Sequence, residues 1–234
     1  MEVRTQVRRW HLFPDAAALF EGVRARVQCA SQLAQSARGE FRIVLSGGQT
    51  PQALYERLPE LTTDWSRWHV YWGDERCLPR ESAQRNSALA MHAWLDHVPI
   101  PRTQIHPIEA ERGAAEAARR YREIIRGVIP DLILLGLGED GHTASLFPGH
   151  EWGAQRDAQP VLAVSNAPKP PSGRVSLSVR TLSSAREVIF LITGASKRQA
   201  VELWQGGHRI PAAAVAPSAG VDICLAGTGC VIAG

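Results

Sequence analysis

His142 stands two residues after Asp140, flanked by Gly136, Gly138 and Gly141 on one side and Thr143 on the other. An imidazole titrates near neutrality, so a histidine beside a carboxylate is a ready general base or acid. The glycines let the backbone turn sharply and approach a ligand. The run before them, Asp131-Leu132-Ile133-Leu134-Leu135, is almost wholly branched aliphatic, as in a strand covered on both faces. A titratable group on a glycine turn just beyond a buried strand is where α/β enzymes keep their chemistry.

The same glycines spell Gly136-x-Gly138-x-x-Gly141, the dinucleotide fingerprint. That fingerprint needs a long helix behind it and an acid about 20 residues on, at the tip of the next strand. Pro148-Gly149 follows within two turns of His142, and no strand separates Gly141 from Glu151 or Asp157. The context excludes nucleotide binding by this motif.

Two further turns carry chemistry. Leu45-Ser46-Gly47-Gly48-Gln49-Thr50-Pro51 follows a strand and opens a helix, with Thr50 placed as N-cap and Pro51 at the first helical position. Glycines ahead of a helix N-terminus expose N–H groups, and the helix dipole favours an anion there, so this turn suits phosphate. The plain alternative is a tight connection. Trp72-Gly73-Asp74-Glu75-Arg76 sets three charges at the end of another strand; a surface ion-pair cluster is the competing reading. Loop cations Lys169, Arg174 and Lys197 add anion partners or are simply solvated.

These turns need a scaffold that gathers them. Helix-like and strand-like segments alternate along the chain, the pattern of an open, mostly parallel sheet flanked by helices on both faces. Helices are expected at Asp15 to about Ala37 (core face Leu19, Phe20, Val23, Val27, Ala30 and Leu33), at 51–58, 84–97 and 113–125, and at 197–204. Strands are expected at 41–45, 68–72, 131–135, 158–164, 174–179, 188–193 and 221–225. No loop divides the composition, so residues 1–234 read as one domain. A parallel sheet puts the turns at its strands' carboxyl ends on one rim, so the three converge. A small phosphorylated substrate handled by acid–base chemistry is the expectation.

Composition narrows the classes. With 44% hydrophobic and 21% charged residues and a surplus of three positive charges, the chain has ordinary soluble character. The three arginines between Arg4 and Arg9 read as a solvated edge, not a nucleic-acid arm. Cys29, Cys77, Cys224 and Cys230 form no CxxC and no zinc spacing, which suits a reducing cytoplasm and no metal. No apolar run approaches 18 residues and the N-terminus has no signal-peptide core, so neither membrane nor secretion is expected.

In order along the chain, SGGQTP (46–51), WGDERCLP (72–79), Ser82 and Asn86 of ESAQRNSALA, GLGEDGHTASLFPG (136–149), NAPKPPSGR (166–174) and GASKRQA (194–200) together resemble the 6-phosphogluconolactonases of the pentose phosphate pathway. The stretch around Val221-Asp222-Ile223-Cys224 matches that family only loosely. The resemblance implies a three-layer, Rossmann-like α/β fold similar to glucosamine-6-phosphate deaminases and ribose-5-phosphate isomerases. It implies hydrolysis of 6-phosphoglucono-δ-lactone without cofactor or metal, by a monomer or weak homodimer. Ser46, Gly47, Gly48, Gln49 and Thr50 would cradle the 6-phosphate, which Arg174 and Lys197 would neutralise, arginine with a bidentate fork. His142 would be the general base, Asp140 or Asp74 its partner, and Arg76 the oxyanion stabiliser beside Asp74. The related deaminases carry a glutamate five residues after the histidine and a tyrosine two after the aspartate. Phe147 and Arg76 occupy those positions here, against a hexosamine-phosphate deaminase or isomerase. A non-catalytic sugar-phosphate sensor on this fold would add a DNA-binding segment, and no helix-turn-helix stands apart.

Overall fold

Aliphatic runs five to seven residues long pair side by side to make the centre of the molecule. The structure is a computed structural model, described here for residues 6–230. In chain order the strands are β1 (Arg8–Phe13), β2 (Phe41–Leu45), β3 (Trp68–Trp72), β4 (Asp74–Arg76), β5 (Ile105–His106), β6 (Leu132–Gly136), β7 (Val161–Val164), β8 (Arg174–Leu177), β9 (Glu187–Thr193) and β10 (Val221–Ala226). The α-helices are α1 (Ala16–Arg38), α2 (Gln49–Tyr55), α3 (Asn86–Ala93), α4 (Ala114–Ile124), α5 (Val179–Leu182), α6 (Arg198–Gln205) and α7 (Pro211–Ala214). Seven strands form one wholly parallel sheet, ordered β1-β10-β9-β6-β2-β3-β5. Helices cover it, giving the expected α/β architecture. Its central strands are buried on both faces, which is why they read as continuous apolar runs.

Local signals set the element ends. Asp15 caps α1 by accepting from the Ala18 N–H at 2.8 Å, and Gly39 closes it with φ 81°. The helix buries Leu19, Phe20, Val23, Val27, Ser31 and Ala34. Leu33, expected on that face, is 65% exposed. Six residues past Val27, it lies about 240° round the helix from it, whereas Ser31 and Ala34 return to the stripe. The helices expected at 51–58 and 84–97 are shorter, and each is followed by a separate 3-10 turn.

Three departures stand out. The segments 158–164 and 174–179 do not join the main sheet. Their cores, β7 and β8, pair antiparallel with each other, and β8 pairs antiparallel with β4, in a small second sheet. Asp74-Glu75-Arg76, expected as a turn, is therefore a strand. Finally, β1 grows from the run expected to be a solvated edge. It does lie at the sheet's edge, but Arg9 reaches buried Asp222 on β10 with Nε at 3.0 Å and Nη2 at 2.7 Å, and His11 Nε2 reaches it at 2.7 Å. Arg4 lies outside the described residues.

Candidate active site

The carboxyl ends of β2, β6 and β9, together with β4 and β8 of the small sheet, surround a cleft of about 620 Å³. Ser46, Gly47, Gly48, Gln49, Thr50, Asp74, Arg76, His142, Arg174 and Lys197 all line it. Asp140 does not; it stands behind His142.

His142 is held by its own turn. The Gly138 N–H donates to the His142 carbonyl at 2.8 Å, and the Gly141 N–H to the Gly138 carbonyl at 3.0 Å. Gly141 has φ 84°, a left-handed conformation that suits glycine. At Gly138 the reason is space: a Cβ there would lie 2.0 Å from His142 Nδ1. The imidazole fills that gap, bonds Asp140 Oδ1 through Nδ1 and packs against buried Phe147 with centroids 4.8 Å apart and the rings tilted by 43°. Nε2 has no hydrogen-bond partner among the described residues, and the side chain keeps 20% of its exposure. Burial pulls the imidazolium's pKa below its usual value, and Asp140 only partly opposes it. Asp140 itself resists the rise that burial favours, because its bond to His142 keeps the carboxyl below the ordinary range. A neutral imidazole oriented by a carboxylate, with one nitrogen free toward a cleft, can take a proton from water. No helix or strand follows before Val161, so the glycine turn lacks the helix a dinucleotide site requires.

The strand period sorts the charges of β4. Asp74 and Arg76 face the cleft, while Glu75 points away and is fully buried. Its carboxylate accepts from the N–H groups of Arg76 (2.8 Å), Asn86 (2.7 Å) and Ser87 (2.8 Å), capping the N-terminus of α3 from outside the helix. Glu75 is thus structural. Asp74 is held by the Ser145 hydroxyl at 2.6 Å and the Asn86 amide at 3.2 Å. Arg76 donates to the Gln84 carbonyl at 2.8 Å, and its Nε is buried without a partner.

The 46–50 turn departs from expectation at the helix start. Thr50 is not the N-cap of α2, and Pro51 is its third residue, not its first. Gly48 occupies the cap position with φ 107°, and the Thr50 hydroxyl lies 2.6 Å from that of Thr193. The Ser46 N–H is taken by the Tyr55 hydroxyl at 3.0 Å. What remains for an anion is the Ser46 hydroxyl, buried and unpartnered, with the N–H groups of Gly47 and Gly48, which meet no acceptor among the described residues. Arg174 is also partly committed: Nε donates to the Pro171 carbonyl at 2.8 Å, and Nη2 to those of Lys169 and Pro170 at 3.1 and 3.2 Å. The two-pronged fork expected of it is spent on the loop, leaving Nη1 for a ligand. Lys197 lines the cleft with no ion-pair or hydrogen-bond partner for its ammonium among the described residues, as does Lys169. The sequence reading missed the roles of Asn86 and Ser145, although both stand inside motifs it singled out.

The family described as glucosamine-6-phosphate isomerases/6-phosphogluconolactonase matches residues 14–224. Among curated proteins, the chain is 36% identical over 211 residues to a 6-phosphogluconolactonase of Mycobacterium tuberculosis, covering 84% of this chain and 85% of that protein. It is 40% identical over 174 residues to one of Synechocystis, covering 70% and 71%. Among solved structures, a 6-phosphogluconolactonase from Thermotoga maritima superposes with a TM-score of 0.86 at 26% identity, covering 94% of this chain and 99% of that one.

Proposed function

Because the chain belongs to the glucosamine-6-phosphate isomerase/6-phosphogluconolactonase family, we propose that it hydrolyses 6-phospho-D-glucono-1,5-lactone to 6-phospho-D-gluconate, the second step of the oxidative pentose phosphate pathway. The observation that carries the mechanism is His142, with Nδ1 bound to Asp140 and Nε2 free toward a cleft lined by cations. His142 Nε2 takes a proton from a water molecule whose oxygen attacks C1. The C1–O bond of the ring breaks, and the departing ring oxygen receives the proton from the imidazolium. Asp140 orients the ring and stabilises its transient charge. Arg76, with its unpartnered Nε, steadies the oxyanion that develops at the carbonyl. Asp74 accepts from a sugar hydroxyl.

At the other end, the 6-phosphate takes the Ser46 hydroxyl and the free N–H groups of Gly47 and Gly48, with Lys197 and Arg174 Nη1 supplying charge. The lactone is already an activated ester, so this reading needs no cofactor. A single domain spanning residues 1–234, acting as a monomer in a reducing cytoplasm, completes it. Four free cysteines support that compartment. No helix among the described residues is long and apolar enough to cross a membrane.

A deaminase would need a carboxylate where Phe147 packs its ring on His142. That contact favours the hydrolase. The test is a coupled lactonase assay on the wild type and two variants. His142→Ala is expected to lose at least about a hundredfold in kcat, the scale of general base catalysis, yet still bind 6-phosphogluconate. Lys197→Ala should raise KM for the phosphorylated lactone far more than for gluconolactone. Wild-type turnover by His142→Ala would remove the base assignment, and equal effects on both lactones would remove the phosphate assignment.

A further inference from the structure

We infer that Ser145 is a positioning residue: with the Asn86 amide, its hydroxyl fixes the Asp74 carboxylate in the wall of the cleft and so ties strand β4 to the turns on either side of it. The inference rests on the lactonase reading of the cleft, within which Ser145 is not a lining residue.

Ser145 lies three residues after His142 and is 1% exposed. Its Oγ donates to Asp74 Oδ2 at 2.6 Å, a charge-assisted bond at the short end of the usual range. Its own N–H donates to Ser176 Oγ at 3.2 Å, and that hydroxyl donates to the Leu177 carbonyl at 3.0 Å, so Ser145 is anchored to β8. On the far side, Asn86 Nδ2 donates to the Asp74 carbonyl at 3.0 Å and to Oδ1 at 3.2 Å. Asn86 reaches the phosphate turn as well, for a Cβ on Gly47 would lie 1.8 Å from Asn86 Oδ1. Glycine at 47 thus lets the asparagine pass. The turn at 136–147 bonds the Asp74 carboxylate through Ser145, and the turn at 46–50 lies against the Asn86 amide that bonds its other oxygen.

The arrangement determines Asp74's charge. Burial pushes its carboxyl above the usual range; Ser145, then Arg174 and Arg76, pull it down, while Glu75 pushes it up. His142 and Tyr55 also feel its charge. Without the Ser145 hydroxyl the carboxyl must rise further, and Asp74 protonates closer to working pH.

The experiment compares Ser145→Ala and Ser145→Cys, alone and in an Asp74→Asn background, by kcat/KM for the phosphorylated lactone between pH 5 and 8. Cysteine fills the site without leaving a cavity but donates weakly, so it serves if alanine does not fold. A step on the acid limb should move to higher pH, giving losses that grow as pH falls. In the Asp74→Asn background the same substitutions should change kcat/KM less than twofold. A loss equal at all pH values and equal in both backgrounds would overturn the inference. So would wild-type kinetics in both variants. If the wild type shows no lactonase turnover, the functional reading fails instead, and the clamp is then read from stability. Ser145→Ala should destabilise the chain most above the Asp74 pKa and less, with no dependence on pH, in Asp74→Asn, where only a neutral acceptor remains; equal destabilisation in both would refute it.

Discussion

Gly138→Ala should inactivate the enzyme while leaving its catalytic residues in the sequence. The added Cβ would sit 2.0 Å from His142 Nδ1, 2.2 Å from Cε1 and 2.6 Å from Cγ. Ordinary contact between such atoms is about 3.5 Å, so the ring must retreat by roughly 1.5 Å and give up its bond to Asp140. A misplacement of about 1 Å at a reacting group costs on the order of a hundredfold in rate, or about 2.7 kcal/mol of transition-state stabilisation. The backbone should tolerate the change. Gly138 does not have positive φ, and its N–H and carbonyl bonds to residues 142 and 141 need no side-chain atom. Alanine at a compatible glycine position stabilises by about 0.4–1 kcal/mol, and the lost His142–Asp140 bond offsets this by a similar amount, so the thermal midpoint should stay within about 3 °C of wild type. The assay is steady-state lactonase kinetics beside thermal melting and 6-phosphogluconate binding. A kcat about a hundredfold down, with KM and product affinity within about threefold, is the outcome expected of a displaced base. Turnover within twofold of wild type would refute the need for a fixed His142. Loss of product binding together with kcat would show that the whole cleft had collapsed, not that a base had moved.

Further predictions concern charge. Asp140→Asn removes the group that raises the His142 pKa, which burial already depresses. The acid limb of kcat/KM, set by the need for a neutral base, should start below the usual value of about 6.5 and move lower still in the variant. The variant's kcat should fall by roughly tenfold or more, because the imidazolium loses its anionic partner; an unchanged limb would disconnect Asp140 from the base. Asp222→Asn tests the edge strand. Burial would raise this carboxyl, but Arg9, His11 and Arg26 hold it well below the usual range. Such a group adds stability above its unfolded pKa of about 3.9 and loses it as pH falls toward the native value. Urea unfolding should therefore show a loss of about 2 kcal/mol at pH 7, moderated by the exposure of the cations. The loss should shrink by about 1 kcal/mol at pH 3, and a gap independent of pH would remove the electrostatic account of β1.

What could be read from the sequence was what is decided locally. Helix α1 begins from Asp15 as expected and ends one residue past Ala37, because both of its caps, Asp15 and Gly39, bond within four residues. The strands of the sheet's centre announced themselves because burial on both faces leaves no polar position. Strand β1 was illegible because its charges are neutralised by a partner more than 200 residues away: Arg9 bonds Asp222. Strand β4 hid for a related reason. Three successive charges look like surface until Glu75 is seen to cap a helix that starts at Asn86. At the site, residue identities came through and commitments did not. Arg174 is an arginine in the right place, but its loop carbonyls engage Nε and Nη2, and nothing in the chain order shows that.

The dense motif around His142 has a corresponding explanation. Its residues do not all serve the imidazole's reactivity. Gly138 is small so that the ring can lie over the backbone, and Gly141 turns the chain with a Cβ position only 2.8 Å from Ile210. Phe147 supplies an apolar face, and Ser145 turns away from the histidine altogether to hold Asp74, 71 residues earlier. The same holds at the phosphate turn, where Gly47 makes room for Asn86. Substitutions should therefore fail in linked pairs across turns. Gly47→Ala must push Asn86 off Asp74, so its effect on kcat/KM should be largely absent when Asn86 is already alanine, since residues acting as one unit are non-additive. Independent, additive losses from the two changes would mean that the turns are neighbours only, and that Asp74 does not join them.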